Sequence, residues 1–317
     1  MKVLKILLKR EFWEHRKTFF YLPLVIMAFC TFFLFAGIGS LQILGDDLMI
    51  DGHAEMSETT ENSTDQQVYE YSSVPVGALF GEQLAQFGVL PFSDKEKVLN
   101  MAYFTFVSPL APVLWGVIFM YFLTCLYDDR KDRSILFWKS LPVSDTMTVL
   151  SKLLTGLVVL PVIFFVAMLM LQLILLLASV LFALGYPIDT WEALVAPANI
   201  VGRWFSMAAF LGFVTLWCLP FFAWVILISS WAKSVPLAWV IGGPVVVVIF
   251  EQVFFRSDIV TGYIGRHIFP GDMMSRLAEG VTNVYGSLMN LEFLVSIVLA
   301  AAMLSGAVYF RSKADEL

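Results

Sequence analysis

The chain has 317 residues, of which 59% are hydrophobic and 15% charged, with a mean hydropathy of +0.80. Such a composition excludes a soluble globular domain and defines an integral membrane protein. The net charge of −6 excludes little by itself, because in membrane proteins the sidedness of Lys and Arg matters more than their sum.

At the N-terminus, Lys2, Lys5, Lys9 and Arg16 recur at helical spacing, with Val3, Leu4, Leu7 and Leu8 toward the other side. Residues 1–18 are therefore expected to form an amphipathic helix lying in the membrane interface, although a basic flank that only fixes topology would give the same pattern. A cleaved signal peptide does not fit: the basic region is too long, the apolar run that follows exceeds the usual 7 to 15 residues or so, and no small-x-small cleavage site follows it.

A spanning helix needs about 20 mostly apolar residues, and residues 19–317 contain six such runs: Phe19–Leu44, Met101–Leu126, Leu153–Leu184, Trp204–Trp231, Pro236–Phe255 and Phe293–Phe310. The expected fold class is all-α integral membrane, with six transmembrane helices. Of the 20 Lys and Arg residues, 14 fall in residues 1–18, the 127–152 loop, Lys233 and the C-terminal tail. That side is expected to be cytoplasmic, with both termini inside. The 45–100 loop is then extracytoplasmic, and it is acidic, with Asp46, Asp47, Asp51, Glu55, Glu58, Glu61, Asp65 and Glu70 preceding any basic residue. Its Ser57–Thr64 stretch is expected to be mobile, and Val74–Leu90 is apolar enough to pack on the membrane face. The fifth run is broken by Gly242-Gly243-Pro244 and carries Glu251 near its end. A buried acid in a span is costly and therefore a functional candidate; Glu251 would serve a transport pathway, pair with Arg256, or snorkel to the interface. The 256–292 segment is too apolar for a free loop and too interrupted for a span, and is expected to turn back as short helices on the outer side.

Several chemistries are missing from the chain. No G-x-x-x-x-G-K-[ST] occurs, so ATP hydrolysis through a P-loop would need another polypeptide. There is no H-E-x-x-H, and His15, His53 and His267 lie far apart along the predicted topology, so no metal ligand set and no catalytic residue is expected. Cys30, Cys125 and Cys218 lie in apolar runs and read as buried hydrophobes. No nucleic-acid partner is expected.

The most specific segment runs from Tyr127 to Ser144, Tyr-Asp-Asp-Arg-Lys-Asp-Arg-Ser-Ile-Leu-Phe-Trp-Lys-Ser-Leu-Pro-Val-Ser. Bulky Ile135, Leu136, Phe137 and Trp138 sit on a short helix that Pro142 stops, and Ser144 or Asp145 can cap the next one. Such a segment suits docking to another protein; an amphipathic loop lying on lipid headgroups is the other reading.

This segment resembles the coupling region of the ABC-2 permeases, in which a charged run leads into Thr-Leu-Glu, several apolar residues and Leu-Pro-Val-Ser. Ser134-Ile135 stands at Thr-Leu, and Leu141-Pro142-Val143-Ser144 matches outright. Arg133 replaces the small residue usual before the Thr, and Leu136 the usual Glu, so the contacts those positions make in relatives do not carry over. The resemblance implies a type V ABC exporter subunit with residues 1–18 as its elbow helix and Arg133, Ser134, Ile135, Leu136, Phe137, Trp138, Leu141, Pro142, Val143 and Ser144 as its ATPase-coupling residues. It also implies two copies of a partner ATPase that bind ATP and Mg, a second permease chain as homodimer or heterodimer, contact with membrane lipids, and a bacterial inner membrane as the location. A secondary transporter or channel driven by an ion gradient, and a non-transporting membrane scaffold or sensor, are the alternatives.

Overall fold

The structure, a computed structural model, describes residues 2–44, 49–56, 69–133, 135, 140, 142–268, 286, 288 and 290–313. The described residues are mainly helical, and six stretches are long and apolar enough to cross a membrane: Lys17–Leu41, Phe92–Lys131, Asp145–Ala183, Trp191–Trp217, Pro236–Phe255 and Leu291–Ser312. The chain divides into two compact units. The first comprises Met1–Pro23, Leu110–Val166 and Val201–Leu317, and the second Leu24–Pro109 and Ala167–Ile200.

In the first unit, α1 (Lys2–Glu14) is amphipathic: Leu7 and Glu11, one turn apart, are buried, while Val3, Ile6 and Trp13 are exposed. A π-helical turn, Lys17–Tyr21, leads into α2 (Leu22–Leu44). In the second unit the chain then forms a two-stranded antiparallel ribbon that the sequence reading lacks. Its strands are β1 (Met49–Met56) and β2 (Tyr69–Pro75), with Met49 opposite Pro75, Met56 opposite Tyr69, and an irregularity between Asp51 and His53. The Ser57–Thr64 stretch between the strands lies outside the described residues.

Several span boundaries differ from the sequence reading; one is Leu153–Leu184, whose helical stretch already starts at Asp145. After α3 (Val76–Val89), α4 (Phe92–Val107) starts nine residues before Met101. Pro91 sits at its N-cap and Asp94 in its first turn, where an acid complements the free N–H groups; the charges at 94–97 thus end the uncharged run without ending the helix. Beyond Pro109 the path continues as α5 (Leu110–Thr124) and α6 (Tyr127–Lys131). Past the 132–144 loop come α7 (Asp145–Leu154), a π-helical turn at Thr155–Val159, and α8 (Leu160–Ala183). The second unit closes with a π-helical turn at Trp191–Val195, whose Ala193 and Leu194 pack with Leu99, Tyr103, Ala183 and Ala198.

A further difference is that the expected single span Trp204–Trp231 is two helices. In the structure α9 (Ile200–Trp217) stops at Cys218 (φ −81°, ψ 3°), and α10 (Leu219–Trp231) restarts with Pro220 in its first turn. Proline cannot donate the backbone bond that would have carried one helix through. With Phe222, Ala223, Val225 and Ile226 all buried, α10 forms the centre of the first unit, packed along α13 (Leu291–Ser312) and against α5.

The Gly242-Gly243-Pro244 break lies inside α11 (Pro236–Phe250). Pro244 has no N–H for the carbonyl of Val240, four residues back. The indole Nε1 of Trp224, on α10, donates to that carbonyl at 3.2 Å. Gly243 makes the approach possible, since a Cβ there would stand 2.6 Å from the Trp224 ring, whereas one at Gly242 would meet nothing within 4 Å. Gly243→Ala should therefore cost about 1–3 kcal/mol by overpacking, and Gly242→Ala should not. Thermal unfolding of the detergent-solubilised pair checks this; equal midpoints would refute the contact.

After a π-helical turn at Glu251–Phe255 comes α12 (Ile259–Ile268). It supplies one short helix of the expected return segment, much of whose remainder, residues 269–285, lies outside the described residues.

Candidate functional site

Both flanks of the 132–144 loop end in one buried cluster of charges within the first unit. The apolar stripe of α1 reaches one turn past Leu7 and places Glu11 inward. In α7, Asp145 and Lys152 are seven residues and two helical turns apart, so they share a face, which also buries Thr148 and Val149. Ser144 caps this helix, its Oγ accepting from the Met147 N–H at 3.2 Å, which satisfies one of the free donors of the first turn.

The Tyr121 hydroxyl, from α5, donates to Glu11 Oε2 at 2.9 Å. Lys152 Nζ lies 3.3 Å from Glu11 Oε1 and 3.5 Å from Asp129 Oδ2, on α6. Arg311, in the last turn of α13, reaches Asp129 Oδ2 with Nη1 at 3.0 Å and Asp145 Oδ1 with Nε at 3.1 Å. The side chains of Glu11, Lys152 and Arg311 are 0%, 3% and 3% exposed. With Arg10 also paired to Glu11, three acids and three bases alternate, which is what a site shielded from water requires. Burial alone would push the Glu11 carboxyl up, but Lys152, Arg10 and the Tyr121 hydroxyl together hold it below the usual carboxylate range.

A second clasp fixes α6. Arg130 Nη2 donates to the carbonyls of Ser229 and Ala232 at 2.8 and 2.7 Å, satisfying acceptors that the end of α10 leaves free. In return, Ser229 Oγ accepts from the N–H groups of Leu126 and Tyr127 at 3.2 and 3.1 Å. The first helix, both flanks of the loop, α10 and the last helix are thus joined through contacts of 3.5 Å or less. Its charges are paired with one another, and Glu11, Asp129, Lys152 and Arg311 are held largely away from water, while Arg10 and Asp145 are 22% and 28% exposed.

Of the coupling residues expected from the sequence, Arg133, Ile135, Pro142, Val143 and Ser144 are described, whereas Ser134, Leu136, Phe137, Trp138 and Leu141 lie outside the described residues. Arg133 closes α6 in the left-handed region (φ 56°). Ile135 is 5% exposed, so it packs inward and does not present itself as an anchor. The sequence reading missed the cluster because it took Asp129 only as part of the charged run before the docking segment, counted Lys152 and Arg311 only toward the orientation, and gave Glu11 no part.

Glu251 also differs from its expected surroundings. It is 4% exposed, and its carboxylate accepts from the N–H groups of Val260 and Thr261, both at 2.8 Å, and from the hydroxyls of Thr261 and Ser257 at 2.8 and 2.9 Å. Glu251 therefore caps the N-terminus of α12 from the preceding element. Among the described residues its partners are groups of Ser257, Val260 and Thr261 rather than Arg256, and the sequence signal for them was an acid eight residues before the first residue of a short helix.

One carboxylate–histidine group could be weighed as a metal site: ligand atoms of Glu11, Glu14 and His15 lie within 4.8 Å of one another. The Glu11 carboxylate already takes Tyr121, Lys152 and Arg10, so a cation there would compete with positive charges in contact with the same oxygens.

Six membrane-length apolar helices define the class as a multi-pass membrane protein. No family model, curated protein or solved structure matches the chain.

Proposed function

We propose that the chain is the membrane-spanning permease subunit of an ATP-binding cassette exporter of the ABC-2 type. The observation that carries this reading is the anchoring of the 127–152 loop: its entry (Asp129, Arg130) and exit (Asp145, Lys152) are fastened to the first helix, the last helix and α10 through buried polar contacts. A loop meant only to lie on lipid has no need of such rigid mounting, whereas one that receives a push must pass it on. In this reading Phe137, Trp138 and Leu141 dock into a groove on a separate ATPase, two copies of which bind ATP and Mg. Closure of the ATPase pair displaces the loop, and α1, α7 and α13 move with it.

The proposal places both termini and the 127–152 loop in the cytoplasm of a bacterial inner membrane, with the acidic 45–100 segment and α12 outside. It pairs the chain with a second permease subunit and expels substrate outward. The bias of Lys and Arg supports that orientation. A cysteine introduced at Ser63 should react with a membrane-impermeant thiol reagent in intact cells, and one at Ser144 only after permeabilisation. The reverse pattern would overturn the orientation and the coupling role with it.

A further inference from the structure

Lys95, in the second unit, is only 8% exposed, yet among the described residues no acid pairs with it. It shares a buried face of α4 with Leu99 and Tyr103, which pack with Ala183, Ala193, Leu194 and Ala198. The acids of α4 and of the Trp191–Val195 turn packed against it are engaged elsewhere. Asp94 holds Lys97 at 3.1 Å, and Glu96 Oε1 accepts from Asn199 at 3.3 Å. Asp189 Oδ1 accepts from the N–H groups of Trp191 and Glu192 at 2.9 and 3.2 Å, and Glu192 itself is exposed. An ammonium largely withdrawn from water without an anion is a costly placement.

The start of α4 offers further donors to such an anion. No side chain caps the helix, and the N–H groups of Asp94 and Lys95 both turn to the Pro91 carbonyl, at 3.0 and 3.1 Å. Those of Phe92 and Ser93 are left as free donors among the described residues, at the end where the helix dipole favours negative charge. A helical side chain leans toward its own N-terminus, so Lys95 leans back toward this turn. The turn also opens a membrane-length apolar stretch, Phe92–Lys131, which sets it at a water–lipid boundary; Val89, Leu90 and Phe92 are exposed around it. Further along the same helix, Val98, Ala102 and Thr105 line an apolar groove of about 770 Å³, together with Phe29 and Phe33 of α2 and Leu175 of α8. Val98 and Ala102 lie three and seven residues on from Lys95, one and two turns, so the lysine heads the row that forms this wall.

We propose that this end of α4 binds a phosphate-bearing lipid, its phosphate held by Lys95 and the N–H groups of Phe92 and Ser93 and an acyl chain lying in the groove below. A free phosphate would answer the lysine and leave the groove unfilled; a neutral lipid would fill the groove and leave the lysine unpaired. A phospholipid carries both parts joined, at the depth where the helix enters the membrane. Asp94 does not repel the phosphate strongly, because Lys97 takes up its charge. The site lies wholly within the second unit and holds whichever way the chain crosses the membrane.

The test is native mass spectrometry of the full-length protein, delipidated in detergent and titrated with three probes: phosphatidylglycerol, a galactosyl diacylglycerol with the same acyl chains, and inorganic phosphate. Phosphatidylglycerol should bind most tightly. Lys95→Gln should weaken it about tenfold or more, as expected for losing one hydrogen bond to a charged group, and should leave the galactolipid unaffected. Lys5→Gln, at an exposed lysine of α1, should change neither. Equal affinity of the wild type for the two lipids, an equal loss from Lys5→Gln, or displacement of phosphatidylglycerol by inorganic phosphate at equal concentration would overturn the site. Should Lys95→Gln not fold, the wild type titrated with the three probes decides by the same comparisons.

Discussion

Lys152→Met should destabilise the protein by up to about 3–5 kcal/mol, because removing one cation from a buried ion-pair network leaves its acids less well compensated. Lys152 lies against both Glu11 and Asp129; Asp129 keeps Arg311 at 3.0 Å and Glu11 keeps Arg10 and the Tyr121 hydroxyl, so the cost falls mainly on the deeply buried Glu11 and lies toward the lower end of that range. The double variant Lys152→Met, Glu11→Gln removes that charge as well and should recover most of the loss. Thermal unfolding of the wild type, the two single variants Lys152→Met and Glu11→Gln, and the double variant in detergent gives the coupling energy; losses that simply add would show that the two side chains do not interact. The same cluster sets an acid limit. The Glu11 carboxyl is held below its usual range, so its stabilisation is fully present above the ordinary carboxylate value and is lost as pH falls through the lowered one.

The helices were legible in the sequence wherever charge was scarce: Pro236–Phe255 coincides with its expected bounds, since its side chains are apolar save for Glu251 and Gln252 near the end. Boundaries failed where backbone chemistry overrides hydropathy. Pro220 divides Trp204–Trp231 within an unbroken apolar run, and Pro91 starts a helix whose first turns are charged. The capping of α7 by Ser144 could be read directly, because an Ser-Asp pair after a proline is a local signal.

The charge cluster was not legible, because its members come from residues 11, 129, 145, 152 and 311 and only packing brings them together. Partial signs existed. Glu11 is an acid on the Leu7 stripe of a helix whose other face is basic, and Lys152 interrupts a run of Leu and Val. Both are costly placements unless each has a partner. Glu251 gave a comparable sign, yet its partners are backbone N–H groups of α12, whose presence no side-chain pattern announces.

The second large effect concerns Trp138. Bulky apolar side chains on a loop between spans require cover, and an aromatic anchor buried in a partner's groove is worth about 2 kcal/mol or more on truncation. Trp138→Ala should weaken docking of the ATPase by about thirtyfold or more at that energy, with membrane insertion unaffected, because no span is altered. The direct test is affinity purification of the tagged chain from its native membranes in mild detergent, beside the Phe137→Ala, Trp138→Ala double variant. The account predicts that a nucleotide-binding subunit accompanies the wild type and is lost from the variant. Recovery of that subunit in equal yield with both proteins, or of no nucleotide-binding subunit with the wild type, would contradict it.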